Sequence, residues 1–397
     1  MLLELGKKTI QKNALFFGKL LSLSKINDKK LNKIKKIKTR NPGIDFVRIL
    51  SMYAIIIHHI IFFGNLSQKY YKFKELDLMN ISCFWHVSSF ALISGYIGYK
   101  TSKYSNLIYL WVYAFFYSLG IIYIYGKYNS KSIIEFKDYF PFYFDKYWYF
   151  TKYFGMYLFL PVINKGILSL NQNELRLVVI SLILVYVILK DIINPHRDIL
   201  KMNKGYSVIW LLIFYITGAY FGKFRKEYNG IKKIIFIIIC ILIFSLSTYY
   251  CFYFKYYSLD NSKGPLKKKI IKILKELFIL RISSLPMILQ SISITLLLTQ
   301  MKYKKYLTKI IIFLGPLTFG VYIIHMYPIT LNLLIRKYFE KEPNNISLST
   351  VMKLILIRSL QIFGICFIID YLRYILFLIL RIRKLCILIE KFIYRIF

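Results

Sequence analysis

The stretch NPGIDFVRILSMYAIIIHHI, from Asn41 to Ile60, sets four ionisable side chains into an otherwise apolar run. Its length of about 20 residues is what an α-helix needs to cross about 30 Å of hydrocarbon. Ionisable groups at that depth are costly, so they point to function. We therefore expect this stretch to be a membrane helix with a functional role. Some or all of its ionisable residues should take part in that function, and they are Asp45, Arg48, His58 and His59.

The composition of the whole chain also indicates a membrane protein. Aliphatic and aromatic residues make up 57% of its 397 residues, which is too apolar for a soluble globule. The formal net charge is +39, but the Lys and Arg residues lie between apolar blocks, where anionic lipid headgroups would meet them. We therefore predict the lipid bilayer as a partner and no nucleic acid. The five cysteines form no CxxC spacing and no Cys/His cluster, so neither a disulfide framework nor a metal site is predicted.

Apolar stretches long enough to span a bilayer recur along the chain. They predict an all-α, polytopic membrane helix bundle of about ten transmembrane helices, with spans near residues 44–64, 79–99, 105–126, 149–169, 174–193, 205–223, 231–254, 279–300, 308–335 and 352–380. The connecting segments are too short for a separate soluble domain. We accordingly divide the chain into a basic cytosolic N-terminal segment (1–43), a transmembrane domain (44–380) and a basic C-terminal tail (381–397).

The basic residues of the loops favour one orientation. Lys and Arg are enriched in cytosolic loops, and the N-terminal segment is strongly basic. We therefore expect a multi-pass protein of the plasma membrane with a cytosolic N-terminus, although the predicted outer loop 255–278 is basic as well.

Helical geometry sorts the ionisable residues of the first span into faces. Arg48 and His59 are eleven positions apart, which is about 20° around the axis and about 16 Å along it. Asp45 lies on the same side and close enough to pair with Arg48, whereas His58 points about 80° away. An imidazole can take a proton from a hydroxyl nucleophile, and an Arg can hold a phosphate group. The alternative is an interhelical hydrogen bond for His59 and a snorkelling Arg48, and spacing alone does not decide between the two.

The run DFVR, followed by ten residues and His59, resembles the Arg, ten residues, His signature of acyltransferase family 3, the integral membrane O-acyltransferases of polysaccharides and other envelope molecules. Four further segments resemble this family in the same order: SSFALISGYIG (88–98), WYFTKYFGMYLFLPVINKGI (148–167), GYSVIWLLIFYITGAYFGKF (205–224) and LTFGVYIIHMYPI (317–329). The resemblance covers most of residues 41–380.

The resemblance implies an O-acyltransferase that takes acetyl from acetyl-CoA, or another acyl-CoA, on the cytosolic side and delivers it to a glycan or lipid-linked sugar. This acyl-CoA is a donor substrate, and no bound cofactor is implied. His59 and Asp45 would be catalytic and Arg48 would bind the donor. Many members carry two arginines after the second helix, where this chain offers Lys100 and Lys103 as donor-binding cations.

Three further residues are candidates for lining the site. His325 precedes Pro328, whose ring should kink the ninth span and open space beside it; a hydrogen bond between helices is the alternative. Ser94, next to Gly95, suits close helix packing better than substrate contact. Trp148, together with its neighbour Tyr149, is typical of an interfacial anchor, or the two flank a sugar-binding entrance.

Two other functions remain open at this stage. Proteins assigned to polysaccharide export also occur in the family, and such a protein would need a continuous polar path without a focused pocket at His59. A small-molecule transporter would be expected to show inverted repeats and broken helices around a midplane site, and no such internal symmetry is visible.

Overall fold

The computed structural model of the chain describes residues 40–128, 136, 140, 147–193, 198, 200–257, 265–278 and 281–396. Most of the predicted N-terminal segment 1–43 and part of the basic loop 255–278 lie outside these residues. Within them every regular element is a helix, as predicted. The first half contains α1 Pro42–Phe63, α2 Leu66–Lys69, α3 Lys74–Cys83, α4 His86–Gly98, α5 Tyr104–Tyr128, α6 Trp148–Ser169, α7 Gln172–Ile183, a π-helix Leu184–Leu189, α8 Lys190–Ile193 and a 3₁₀ turn Asn203–Gly205. The second half contains α9 Val208–Lys223, α10 Gly230–Tyr256, α11 Pro265–Leu277, α12 Leu285–Gln300, α13 Lys305–Leu314, a 3₁₀ turn Gly315–Leu317, α14 Thr318–Met326, α15 Pro328–Leu331, a π-helix Asn332–Arg336, α16 Lys337–Glu340, α17 Leu348–Ile379 and α18 Ile382–Ile396.

Six helical segments of the described residues are long and apolar enough to cross a membrane. They are Pro42–Phe63, Lys74–Gly98, Tyr104–Lys127, Gly230–Tyr256, Lys305–Met326 and Leu348–Ile379. The predicted number of about ten therefore stays a prediction. Two of the other predicted spans correspond to α9 and α12, which have 16 residues each and so extend only about 24 Å. A third corresponds to α6, whose polar residues and Pro161 interrupt its apolar surface.

Helix α1 lies at the centre of the bundle. It packs against α3, α4, α12, α13, α14 and α17, so that its buried residues face protein on several sides. Neighbouring helices can therefore bring side chains from distant parts of the chain to the ionisable face of α1.

The predicted ninth span, 308–335, is a series of short helices. A 3₁₀ turn at Gly315–Leu317 separates α13 from α14, and α14 ends at Met326 before the extended backbone of Tyr327. Pro328 begins the next helix at its first position, where the missing N–H leaves no bond unmade. The predicted break at Pro328 is confirmed, and it leaves His325 in the last turn of α14.

Helices α4 and α9 approach each other through glycines. A Cβ atom on Gly95 would overlap the carbonyl oxygen of Tyr215, and a Cβ on Gly218 would overlap that of Leu92. Small residues of this kind let the backbones of membrane helices touch. Gly95 therefore has the packing role that was predicted for the Ser94–Gly95 pair, and α4 also packs against α1.

A buried ion pair joins α17 to α5 and α14. Asp370 accepts hydrogen bonds from Tyr113 at 2.5 Å and Tyr117 at 2.8 Å, and Arg373 donates to both of its carboxylate oxygens, at 3.0 and 2.9 Å. Asp370 and Arg373, three positions apart on α17, therefore form an ion pair within one helix. A Cβ on Gly320 would overlap the Asp370 carboxylate, so this cluster also fixes the helix that carries His325.

Most of the predicted C-terminal tail, 381–397, is helix α18. It packs along α5, where Arg383 donates a hydrogen bond of 2.7 Å to Asn106.

Candidate active site

One end of the candidate site is an ion pair in the first turns of α1. Arg48 Nη1 lies 2.6 Å from Asp45 Oδ1, and the Asp45 side chain is fully buried whereas that of Arg48 is 22% exposed. A Cβ on Gly315 would come within 2.5 Å of the Asp45 carboxylate, so the turn between α13 and α14 packs directly on it. The predicted pairing within the helix is confirmed, and it orients the Arg48 guanidinium, which is partly exposed.

The other end is a chain of two histidines from α1 and α14. His59 Nδ1 lies 3.0 Å from His325 Nε2, and His325 Nδ1 lies 2.5 Å from the carbonyl oxygen of Val321. A carbonyl oxygen can only accept, so His325 carries its proton on Nδ1 and its neutral ring presents Nε2 as an acceptor. His59 must then donate from Nδ1, which leaves an unprotonated Nε2.

This arrangement gives His59 the form of a general base. Its Nε2 takes part in no hydrogen bond with the described residues, and its tautomer is set by the bond that the other ring nitrogen makes. The interhelical hydrogen bond that was the alternative for His59 is therefore present, and it orients the ring without occupying the nitrogen that would accept a proton.

His58 faces a different group, as its position on the helix predicts. Its Nδ1 donates to Asn80 Oδ1 at 2.7 Å, and its ring centroid lies 5.2 Å from that of His86. His86 is buried, and neither of its ring nitrogens has a hydrogen-bond partner. Among the described residues, no group of three or more His, Cys, Asp or Glu side chains is arranged to hold a metal ion.

Three tyrosines, Tyr149, Tyr153 and Tyr322, which we call the inner tyrosines, connect the two ends of the site. Tyr153 lies close enough to Arg48 for an electrostatic interaction. Its ring stacks on that of Tyr149 at 6.1 Å between centroids, and Tyr149 contacts the ring of Tyr322 at 6.3 Å. The ring of Tyr322 lies 6.3 Å from that of His325. Aromatic contacts therefore run from the neighbour of Arg48 to the partner of His59.

Ser94 lies beside the inner tyrosines. Its hydroxyl donates to the carbonyl oxygen of Phe90 at 2.8 Å and accepts from the Tyr153 hydroxyl at 3.3 Å. Trp148 instead turns its ring onto Tyr206, with centroids 4.4 Å apart. The structure thus brings Ser94 to the site near Arg48, whereas Trp148 lies at its border, where its ring also contacts that of Tyr149 at 5.6 Å between centroids.

The predicted donor-binding lysines follow the end of α4. Tyr157, one turn beyond Tyr153 on α6, accepts from the backbone N–H of Lys103 at 3.2 Å and donates to its carbonyl oxygen at 2.8 Å. Lys100 is exposed, and its Nζ lies 5.7 Å from the ring centroid of Tyr99. Tyr153 and Tyr157 lie on the same face of α6, so this face extends from the neighbourhood of Arg48 to the basic loop that contains Lys103.

Reasoning from sequence named Tyr149 only as part of an interfacial anchor or sugar-binding entrance with Trp148, and it did not single out Tyr153 or Tyr322. The chain has 36 tyrosines, so that a tyrosine in an apolar helix indicates packing or an interfacial position. A usable signal was the spacing of Tyr149, Tyr153 and Tyr157, because residues four apart share one helix face.

A family model described as an acyltransferase domain matches residues 41–370 of the chain. No curated protein and no solved structure matches it. The matched region begins just before α1 and contains both ends of the candidate site as well as the inner tyrosines.

Proposed function

The chain belongs to acyltransferase family 3 and is an integral membrane acyltransferase, and on this premise we propose that it transfers acetyl from acetyl-CoA to a hydroxyl of a cell-surface polysaccharide or a lipid-linked sugar. The observation that carries this proposal is the hydrogen-bond chain from His59 through His325 to Val321. It presents one unprotonated imidazole nitrogen inside the helix bundle.

The proposed reaction begins with the acceptor hydroxyl next to His59 Nε2. The imidazole takes the hydroxyl proton while the oxygen attacks the thioester carbonyl carbon. A carbon–oxygen bond forms, the carbon–sulfur bond breaks, and the imidazolium returns its proton to the departing thiolate. The ester and free CoA are the products, and His59 is again neutral.

The donor-binding part of the proposal rests on the positive groups at the Arg48 end. Arg48, whose side chain is partly exposed, would hold a phosphate of the CoA moiety, and Lys100 and Lys103 would hold others at the exposed end of α4. Arg48 and His59 are separated by about 16 Å along α1, so the donor would lie extended between them with its thioester at the histidine.

Asp45 has a different part in this proposal from that of His59. It lies fourteen residues before His59 on the same helix, which is about 21 Å along the axis, and its carboxylate is bound to Arg48. We assign it the positioning of Arg48, so the acceptor proton would pass to His59 alone.

The orientation in the membrane completes the proposal. Acyl-CoA is a cytosolic substrate, so the Arg48 end, and with it the start of α1 and the N-terminus, would face the cytosol. The His59 end would then lie towards the outer leaflet of the plasma membrane, where a glycan or a lipid-linked sugar can present its hydroxyl.

The test uses purified protein in liposomes with labelled acetyl-CoA and isolated surface glycan. His59→Ala should abolish transfer of label to the glycan, because it removes the Nε2 atom that takes the acceptor proton in the proposed reaction. His58→Ala is the matched control, since His58 bonds Asn80, and it should retain most of the activity. Full activity of His59→Ala would overturn the assignment of the base, and equal loss in both variants would overturn the separation of the two histidines.

A further inference from the structure

Two of the inner tyrosines have buried hydroxyl groups without a hydrogen-bond partner. The hydroxyl oxygens of Tyr149 and Tyr322 are shielded from solvent, and neither forms a hydrogen bond with the described residues, although the Tyr322 hydroxyl lies close to the backbone of Tyr149. Other buried tyrosines of the bundle are satisfied, such as Tyr215, which donates to Asn164 at 2.8 Å. Unpaired buried polar groups are rare in proteins and call for an explanation such as a bound ligand.

The two hydroxyl-bearing rings lie between the donor-binding end and the base. Tyr322 stands one helical turn before His325, and their rings contact at 6.3 Å. Tyr149 contacts Tyr322 on one side and stacks on Tyr153, the neighbour of Arg48, on the other. If a donor extends from Arg48 to His59, its last group passes these two rings.

The group at that position in the proposed reaction is the thioester. When the acceptor oxygen attacks, the carbonyl oxygen of the thioester gains negative charge, and donors aimed at that oxygen stabilise the transition state. Phenolic O–H groups are suitable donors.

We propose that Tyr149 and Tyr322 form the oxyanion-binding site, in which both hydroxyls donate hydrogen bonds to the acyl carbonyl oxygen. This inference rests on the proposed function. His59 moves the proton and the tyrosines keep theirs, so the charge that develops on the carbonyl oxygen is stabilised until the carbon–sulfur bond breaks and the carbonyl re-forms.

The test is to remove each hydroxyl by Tyr149→Phe and Tyr322→Phe and to measure acetyl transfer by purified protein in liposomes. Each variant should lower kcat by about 10²- to 10³-fold, and the KM for acetyl-CoA should change by no more than about twofold, because the bond strengthens only in the transition state. Tyr215→Phe is the matched control and should keep its kcat. Its hydroxyl is bonded to Asn164, so the expected loss there is in the midpoint of thermal unfolding.

Three results would overturn the inference. A kcat within about threefold of wild type in both variants would mean that the hydroxyls bind only water. An increase of the KM for acetyl-CoA without a change of kcat would mean that the hydroxyls bind the substrate in its ground state and not the transition state. A lower unfolding midpoint, or failure to fold, would mean that the hydroxyls have a protein partner after all, since a group without one can be removed without destabilising the fold. The wild-type protein is measured in the same assay. If the proposed function is wrong, the wild-type protein itself will not transfer acetyl, and this outcome differs from all three results above.

Discussion

Replacement of His325 by Phe should disable His59 while leaving every atom of His59 in the protein. Phe fills a similar volume but offers no acceptor to the Nδ1–H of His59, whose bond to His325 is 3.0 Å long. Without this acceptor, the His59 ring can shift its proton to Nε2, and that tautomer cannot accept the proton of a hydroxyl.

The expected size of the effect follows from the nature of the partner. General-base catalysis contributes about 10²- to 10⁴-fold to a rate, and loss of the aspartate that orients a serine-protease histidine costs about 10⁴-fold. His325 is a neutral partner and stabilises the imidazolium less than a carboxylate does. We therefore expect kcat for acetyl transfer to fall by about 10²- to 10³-fold, with little change in the KM for acetyl-CoA.

Two smaller replacements separate the lost hydrogen bond from lost packing. The side-chain amide of Gln extends about as far as His Nε2, so His325→Gln can accept from His59 and should retain kcat within about tenfold of wild type. Asn is one carbon shorter and reaches only towards Val321, so His325→Asn should resemble His325→Phe. Activity within about threefold of wild type in His325→Phe, or equal activity of the Gln and Asn variants, would refute the proposed role of His325.

Three further predictions concern donor binding and the fold. Arg48→Gln should raise the KM for acetyl-CoA by about 10- to 100-fold but leave the rate with a phosphate-free acetyl thioester unchanged; equal losses with both donors would contradict phosphate binding. Asp370→Ala leaves Arg373 buried and unpaired and should cost about 3–5 kcal/mol of stability in thermal unfolding, whereas replacing both residues by Leu should cost much less, and equal losses would contradict the pairing. Gly218→Ala should destabilise the protein by about 1–3 kcal/mol because its Cβ meets the backbone of α4, whereas Gly120→Ala, which has no neighbour within 4 Å, should not, and an equally stable Gly218→Ala protein would contradict the close contact.

Local geometry along one helix was predictable from the sequence. The angular positions of Arg48, His58 and His59 follow from the helical repeat, and the structure gives the two histidines different partners as this repeat predicts. The Asp45–Arg48 ion pair is likewise a contact between residues three apart. Such contacts need no knowledge of the tertiary fold.

Contacts between distant helices were not predictable in the same way. His59 and His325 are 266 positions apart, and only the family motif around His325 indicated that it belongs near the site. Spacing within α14 could not reveal that His325 also bonds the Val321 carbonyl oxygen, because that bond needs a particular ring orientation. The tautomer of His59 follows only once both partners are known.

Span boundaries were predictable where the apolar run is continuous and less so where it is broken. The first span, 44–64, agrees with α1 to within a few residues. The ninth, 308–335, is interrupted at Gly315–Leu317 and again at Tyr327. Hydropathy averages over such breaks, although Pro328 marks the second of them.

The most direct test of the central claim is an ester analysis of surface glycan from cells that make the wild-type protein, cells that make His59→Ala at the same membrane level, and cells that lack the protein. Acyl transfer through His59 predicts O-acetyl esters on the glycan of the wild-type cells alone. The claim would be contradicted by the same esters in the His59→Ala cells, or by glycan whose ester content is identical with and without the protein.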